Sequence, residues 1–163
     1  MGIEANPPAL AESRRNRIHD EYIEGDARRV ELPPASFDAV MMIDLLEHLE
    51  PADGLALLGK AQRLARKKVI VFTPNGFVRQ DEYGGNPLQV HRSGWTVEDL
   101  RGRGYRLYGI GGLKALRGDL AIPRRPRVVT RPLANLTQPA VYRHPKHAFH
   151  LLAVKTLSSE EGG

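Results

Sequence analysis

The stretch FDAVMMIDLLEHL (37–49) decides how the rest of the chain is read. Its centre, AVMMI, is apolar without alternation, which suits a strand buried on both faces rather than one facing water. An acid, Asp44, closes the run, and Glu47 and His48 follow one turn later. Toward the C-terminus, ADGLALLGKAQRLARK (52–67) places Leu55, Leu58, Ala61 and Leu64 or Ala65 at helical spacing. Its last turn is basic, as suits a helix C-terminus. KKVIVFTPNG (67–76) is a second short buried strand, stopped by Pro74 and Gly76. Toward the N-terminus, YIEGDARRV (22–30) opens as a strand and turns at Gly25-Asp26. GIEAN (2–6) reads as the end of another strand, and Pro7-Pro8 leads into a helix.

Beyond residue 76 the alternation continues. TVEDLRGRG (96–104) has a threonine N-cap and ends at Gly104, YRLYGIGG (105–112) is a strand, and HAFHLLAVKTL (147–157) closes as a strand. The stretch 118–146 holds five prolines and scattered arginines, which predicts an irregular insertion with room for one short helix near 132–141. Residues 1–157 therefore read as one domain with an irregular insertion at about 113–146, and 158–163 as a disordered tail. Strands alternating with helices predict an α/β fold, Rossmann-like, with a mostly parallel sheet and helices on both faces. Ligands of such sheets bind outside the C-terminal ends of the strands. Three acids stand there in succession: Glu4, Asp26 and Asp44. Each alone could be a helix cap or a turn former.

Composition narrows the function. Cysteine is absent, so disulfides and thiolate metal sites are excluded. No apolar run approaches the ~20 residues of a membrane span, and no signal peptide is visible, so a cytoplasmic location is expected. The net charge is +5, concentrated between Arg101 and Lys146, where eleven Lys and Arg face one acid, Asp119. Such a segment could attract polyanions, but it lacks interleaved aromatic residues that stack bases. A solvated arginine-rich surface is the simpler reading, and a nucleic-acid partner is not expected.

GIEAN, IEGDAR, FDAVMMIDLLEHL and VIVFTPNG, in that order and with fitting separations, resemble a class I S-adenosylmethionine-dependent methyltransferase of the type 11 kind. The resemblance covers residues 2 to about 76, and the later alternation agrees with it. It implies S-adenosylmethionine as cofactor, a small-molecule acceptor and a last strand that runs antiparallel. It places Glu4 against the cofactor's ribose hydroxyls, which a carboxylate can accept pairwise. Asp26, with the backbone of Ala27, falls by the adenine amine, and Asp44 with Leu45 near the methionine moiety. His48 or His91 could act as general base toward a protonated acceptor, and Glu47, Asn75 and Gln89 could touch it. His48 could equally be a half-buried packing residue, and GNPLQVHRSGW (85–95) a polar loop stabilising its own turns. No metal ligands are expected, since His144, His147 and His150 straddle a strand boundary and should not converge.

The resembled family also carries a first strand and a glycine-rich turn ahead of GIE, a unit of roughly 30 to 50 residues. GIGG (109–112) comes too late in the chain to be that turn. In the family's strand order, 3-2-1-4-5-7-6, the first strand is central, so a chain without it presents two open edges. Strand GIE could then slide onto FDAVMMI, swap into a neighbouring chain, or detach and leave 37–157 ordered. A homodimer or strand-swapped oligomer is expected more readily than for an intact domain, and activity is expected to be weak. The alternatives are a non-catalytic methyltransferase-like module that assembles with itself or a partner, and a polyanion-binding module through 101–146.

Overall fold

The computed structural model describes residues 1–82, 85–118 and 125–157. The chain runs through strand β1 (Gly2–Glu4), helix α1 (Pro7–Arg15), β2 (Tyr22–Glu24), β3 (Phe37–Ile43), α2 (Pro51–Leu64), β4 (Ala65–Pro74), α3 (Val97–Arg101), β5 (Arg106–Leu113), α4 (Arg127–Leu136), α5 (Gln138–Arg143) and β6 (Ala148–Thr156). The strands form two separate sheets. β1 pairs with β2 in parallel, and a four-stranded sheet has the order β3-β4-β6-β5. β3 and β4 are parallel, and β6 runs antiparallel to both β4 and β5, as expected of the last strand.

Local chemistry explains the element ends. Asn6 caps α1 by accepting from the Ala9 amide at 3.0 Å, and Pro7 occupies the first turn. Thr96 and Asp99 form a reciprocal capping box at the start of α3. In α2 the buried face is Gly54, Leu57, Leu58 and Ala61, while Leu55, expected in the core, is 40% exposed. Both registers have helical spacing, and the α2 face is chosen by Trp95. Its ring lies so close to Gly54 that a Cβ there would sit 2.5 Å away. Trp95 is thus packed under α2. The core behind it joins Met42 and Leu46 to Val69 and Val71 of β4, Val97 and Leu100 of α3, and Leu151 and Ala153 of β6.

β1 does not slide onto β3. Each keeps a free edge, and Met41 and Ile43 of β3 are 61% and 50% exposed. Nor does the β1–β2 sheet detach. Buried Lys60 of α2 donates to the carbonyls of Ala27 and Arg28 at 3.2 and 3.1 Å, and also to that of Val30. Arg28 bonds Asp53 of α2. A hydrogen bond to a charged group is worth about 1.5–3 kcal/mol, so one lysine accounts for much of the attachment.

The segment expected to be irregular contains two helices, α4 and α5. Prolines misled the reading: Pro126 stands at the cap of α4 and Pro139 in the first turn of α5, where a missing N–H costs nothing, and among the described residues only Pro132 interrupts a helix. Residues 119–124 of that segment and the tail 158–163 lie outside the described residues.

Candidate functional site

The three acids stand at the ends of β1, β2 and β3, after parallel strands. Glu4 is partly buried, and its Oε1 accepts from the Asn6 amide at 2.8 Å, which orients the carboxylate at the strand tip. Asp26 accepts from the Arg28 guanidinium at 2.6–3.0 Å and from the Arg28 amide at 2.9 Å. The Arg28 side chain holds its carboxyl below the usual range. Asp44 takes a backbone φ of 45°, a left-handed conformation uncommon for a residue with a Cβ. Its amide donates to the Phe72 carbonyl at 2.9 Å, so β4 fixes the turn. Backbone strain of this sort concentrates at functional sites.

Behind Asp44 the chain enters a 3-10 turn, Leu46–His48, and the site gains depth. Glu47 is 2% exposed. Its Oε2 accepts from the Thr73 hydroxyl at 3.0 Å, and its carboxyl is hydrogen-bonded to Asp44. Burial pushes Glu47 up to about 7, with the neighbouring Asp44 adding to the shift. Asp44 is raised too, chiefly by burial on its inner side, although it also meets solvent.

Residues 78–80 and 86–93 fold over this turn. The Glu47 carbonyl accepts from the Arg92 and Ser93 amides at 2.8 and 3.0 Å, and the Ser93 hydroxyl donates to the Leu46 carbonyl at 3.0 Å. The His91 amide donates to the Gln80 carbonyl at 3.0 Å. These bonds bring the His91 ring edge-on to that of His48, 4.8 Å between centroids. His48 Nδ1 lies 3.3 Å from the Val90 carbonyl, and His91 Nδ1 2.5 Å from that of Val78. A carbonyl only accepts, so each Nδ1 carries a proton, and in the neutral ring the lone pair lies on Nε2. Burial holds His48 below its usual pKa, which favours that neutral form.

Glu47, His48 and His91 thus converge on one patch. Their ligand atoms all lie within 4.8 Å of one another, which an expectation of no metal ligands did not foresee. Thr73, Val78, Gln80 and Val90, which hold the three in place, carried no sequence signal, because three act through backbone carbonyls and the fourth through a buried hydroxyl. Leu45 opens the 3-10 turn and its carbonyl accepts the His48 amide. The Gln89 carbonyl accepts from the Gln80 side chain at 2.8 Å, tying the loop to itself.

Asn75 is placed otherwise than expected. Its amide nitrogen faces the carbonyls of Pro145, Lys146 and Ala148 at 3.0–3.1 Å, a clamp between β4 and the start of β6. The Ala27 carbonyl is likewise taken by Lys60. Among the described residues, His144, His147 and His150 form no converging group. His150 instead stacks on Phe72, 4.8 Å between centroids, and burial together with Arg117 lowers its pKa to about 4. Between about pH 6.5, its unfolded value, and pH 4, the unfolded chain binds the extra proton and the folded chain does not, so stability falls as pH falls. His150→Phe is expected to flatten the melting temperature across that window; an unchanged slope would refute the assignment.

The methyltransferase-domain family profile matches residues 1–73, the part that carries all three acids and the 3-10 turn. Residues 1–73 thus carry the methyltransferase-domain signature, and the chain has the Rossmann-like fold of such enzymes. An S-adenosylmethionine-dependent methyltransferase from Archaeoglobus fulgidus is similar in structure, at 16% identity and a TM-score of 0.58, with 96% of this chain and 75% of that one covered. A second, from Mesorhizobium loti, has 15% identity and a TM-score of 0.54, with 96% and 79% covered. A chain solved in complex with the Haloferax volcanii Trm112 methyltransferase activator has 17% identity and a TM-score of 0.56, with 99% and 72% covered. No curated protein matches the sequence. Among the described residues, no helix of this methyltransferase fold is long and apolar enough to cross a membrane.

Proposed function

We propose that the chain binds S-adenosylmethionine across the ends of β1, β2 and β3 and directs methyl transfer to a small-molecule acceptor entering beside residues 78–80 and 86–93. The observation that carries this reading is the donor set. Glu4, Asp26 and Asp44 offer carboxylates suited to a pair of hydroxyls, an amine and a positively charged centre, and the cofactor has all three. Bound there, the cofactor would supply a methyl group already activated by its sulfonium. The protein's part is then alignment and exclusion of water. Glu4, oriented by the Asn6 amide, would accept from the ribose hydroxyls, and Asp26, with the Ala27 backbone, would face the adenine amine. Asp44 and Leu45 would border the methionine end. His48 or His91, through Nε2, would take the acceptor's proton, and Gln89 would touch the acceptor.

Binding by this chain alone is expected to be weak, with a dissociation constant of the order of 0.1 mM. Calorimetric titration with S-adenosylhomocysteine tests the reading. One saturable site per chain is expected, weakened at least tenfold by Glu4→Ala. Unchanged binding in that variant would refute the placement.

A second reading draws on the two free edges and on exposed Met41 and Ile43 of β3. Open parallel edges pair readily with another strand. On that reading the chain is a self-assembling methyltransferase-like module. Sedimentation equilibrium separates the two: a monomer that binds S-adenosylhomocysteine supports the first, and a cofactor-blind dimer the second. The basic segment 101–146 supports no third reading of comparable strength, because Lys146 pairs with Glu98 and the arginines are not interleaved with stacking aromatics.

A further inference from the structure

The geometry points to a divalent transition-metal site formed by Glu47, His48 and His91, with Asp44 at its rim. Three independent features agree. First, the set is mixed, two imidazole nitrogens and a carboxylate on one patch, with ligand atoms within 4.8 Å of one another. Two ligands ~2.1 Å from one ion stand roughly 3–4 Å apart, so a small inward rotation of each ring closes the set. Second, both imidazoles are oriented from behind. Each donates Nδ1–H to a backbone carbonyl, Val90 or Val78, which leaves Nε2 as the free donor atom. That is the outer-shell arrangement by which proteins fix a metal-binding tautomer. Third, the Thr73 hydroxyl holds one oxygen of Glu47, so the carboxylate is aimed and cannot turn away.

The donor types select the metal. Imidazole favours zinc, iron, cobalt and nickel, and carboxylate tolerates manganese, while magnesium and calcium prefer oxygen alone. The mixed set therefore takes a divalent transition ion rather than magnesium or calcium, and cobalt, manganese and zinc serve as its probes. Three protein donors on one side leave positions open toward the space above Asp44, where an acceptor with one or two oxygen donors could complete the coordination. The imidazoles would then serve as ligands rather than as bases. That role in catalysis rests on the methyl-transfer reading; the cation site does not.

The test uses the full chain, stripped with a chelator, and the metal ions alone. Titration with Co²⁺, followed by calorimetry and by the visible absorption of the ion, is expected to show one ion per chain with nitrogen ligation. Mn²⁺ and Zn²⁺ should compete for it, and Mg²⁺ should not. His91→Gln and His48→Gln should each weaken binding more than about tenfold, whereas His144→Gln, on an exposed residue outside the set, should leave it unchanged. His91 lies on a loop, so its variant is expected to keep the parent melting temperature and circular dichroism. Absence of binding at millimolar Co²⁺, or binding that survives both histidine substitutions, overturns the proposal. S-adenosylhomocysteine titrated into the metal-free chain reads the cofactor site separately, so failure of one reading is distinguished from failure of the other.

Discussion

Replacing Lys60 with methionine is expected to release the first 36 residues from the four-stranded sheet while leaving that sheet folded. Methionine fills a similar volume but cannot donate, so the carbonyls of Ala27, Arg28 and Val30 lose their shared partner. Losing a buried, charge-assisted cluster of this kind costs about 3 kcal/mol, part of it recovered where water reaches the carbonyls. The Arg28–Asp53 contact, more exposed, should offset little of this. The main core does not depend on Lys60, since Leu58, Val69, Val71, Leu100 and Leu151 pack without it. Hydrogen exchange should therefore accelerate over β1, α1 and β2 and stay slow over β4 and β6. Binding of S-adenosylhomocysteine should disappear in the same variant, because Glu4 and Asp26 travel with the released part. Uniform loss of protection across the whole chain would show that the two sheets form a single cooperative unit instead.

Gly112→Ala is expected to dislodge α4 and α5 from the sheet. The pairing of β5 with β6 shifts between Ile110 and Leu113, and the two residues within the bulge, Gly111 and Gly112, have φ of 86° and 74°. A Cβ on Gly112 would lie 2.1 Å from the Ala134 carbonyl oxygen, a backbone atom of α4 that cannot swing aside. The bulge is also a junction. Gln138 of α5 accepts from the Gly111 and Gly112 amides at 2.8 and 3.1 Å and donates to the Gly109 carbonyl at 2.9 Å. Positive-φ strain alone costs about 1–3 kcal/mol, and the clash adds to it. A total near 3 kcal/mol corresponds to a fall in melting temperature of about 6–12 °C for a chain of this size. Faster exchange confined to 127–143 would locate the damage. A variant that melts like the parent would show that α4 is not held against β5.

What could be read from the sequence was what repeats along it. AVMMI and VIVF announce strands because nothing polar interrupts them, and β3 and β4 follow, but the expected burial of β3 on both faces does not: only Met42 is buried, because β3 is an edge strand. Glu4, Asp26 and Asp44 mark strand ends because a carboxylate has no place inside such a run. The face of α2 was harder, since Leu55, Leu57 and Leu58 offer two helical registers and the choice lies with Trp95, distant in sequence. Prolines in 118–146 read as breakers, yet two of them stand where a helix needs no N–H. The convergence of His48 with Glu47 was legible as adjacency, but that of His91 was not. It depends on carbonyls of Val78, Gln80 and Val90, and any residue type supplies a carbonyl. Asn75 was misjudged for a related reason: its polar side chain meets backbone groups at the start of β6 that no local pattern reveals.

The central claim is that strand ends belonging to two separate sheets make one cofactor site. Nitrogen–proton correlation spectra of the labelled chain, recorded through a titration with S-adenosylhomocysteine, test it most directly. The account predicts that amides of Gly2–Asn6, Gly25–Arg28 and Ile43–His48 shift together along one binding curve. Shifts confined to only one of these segments, or to none at saturating ligand, would contradict it.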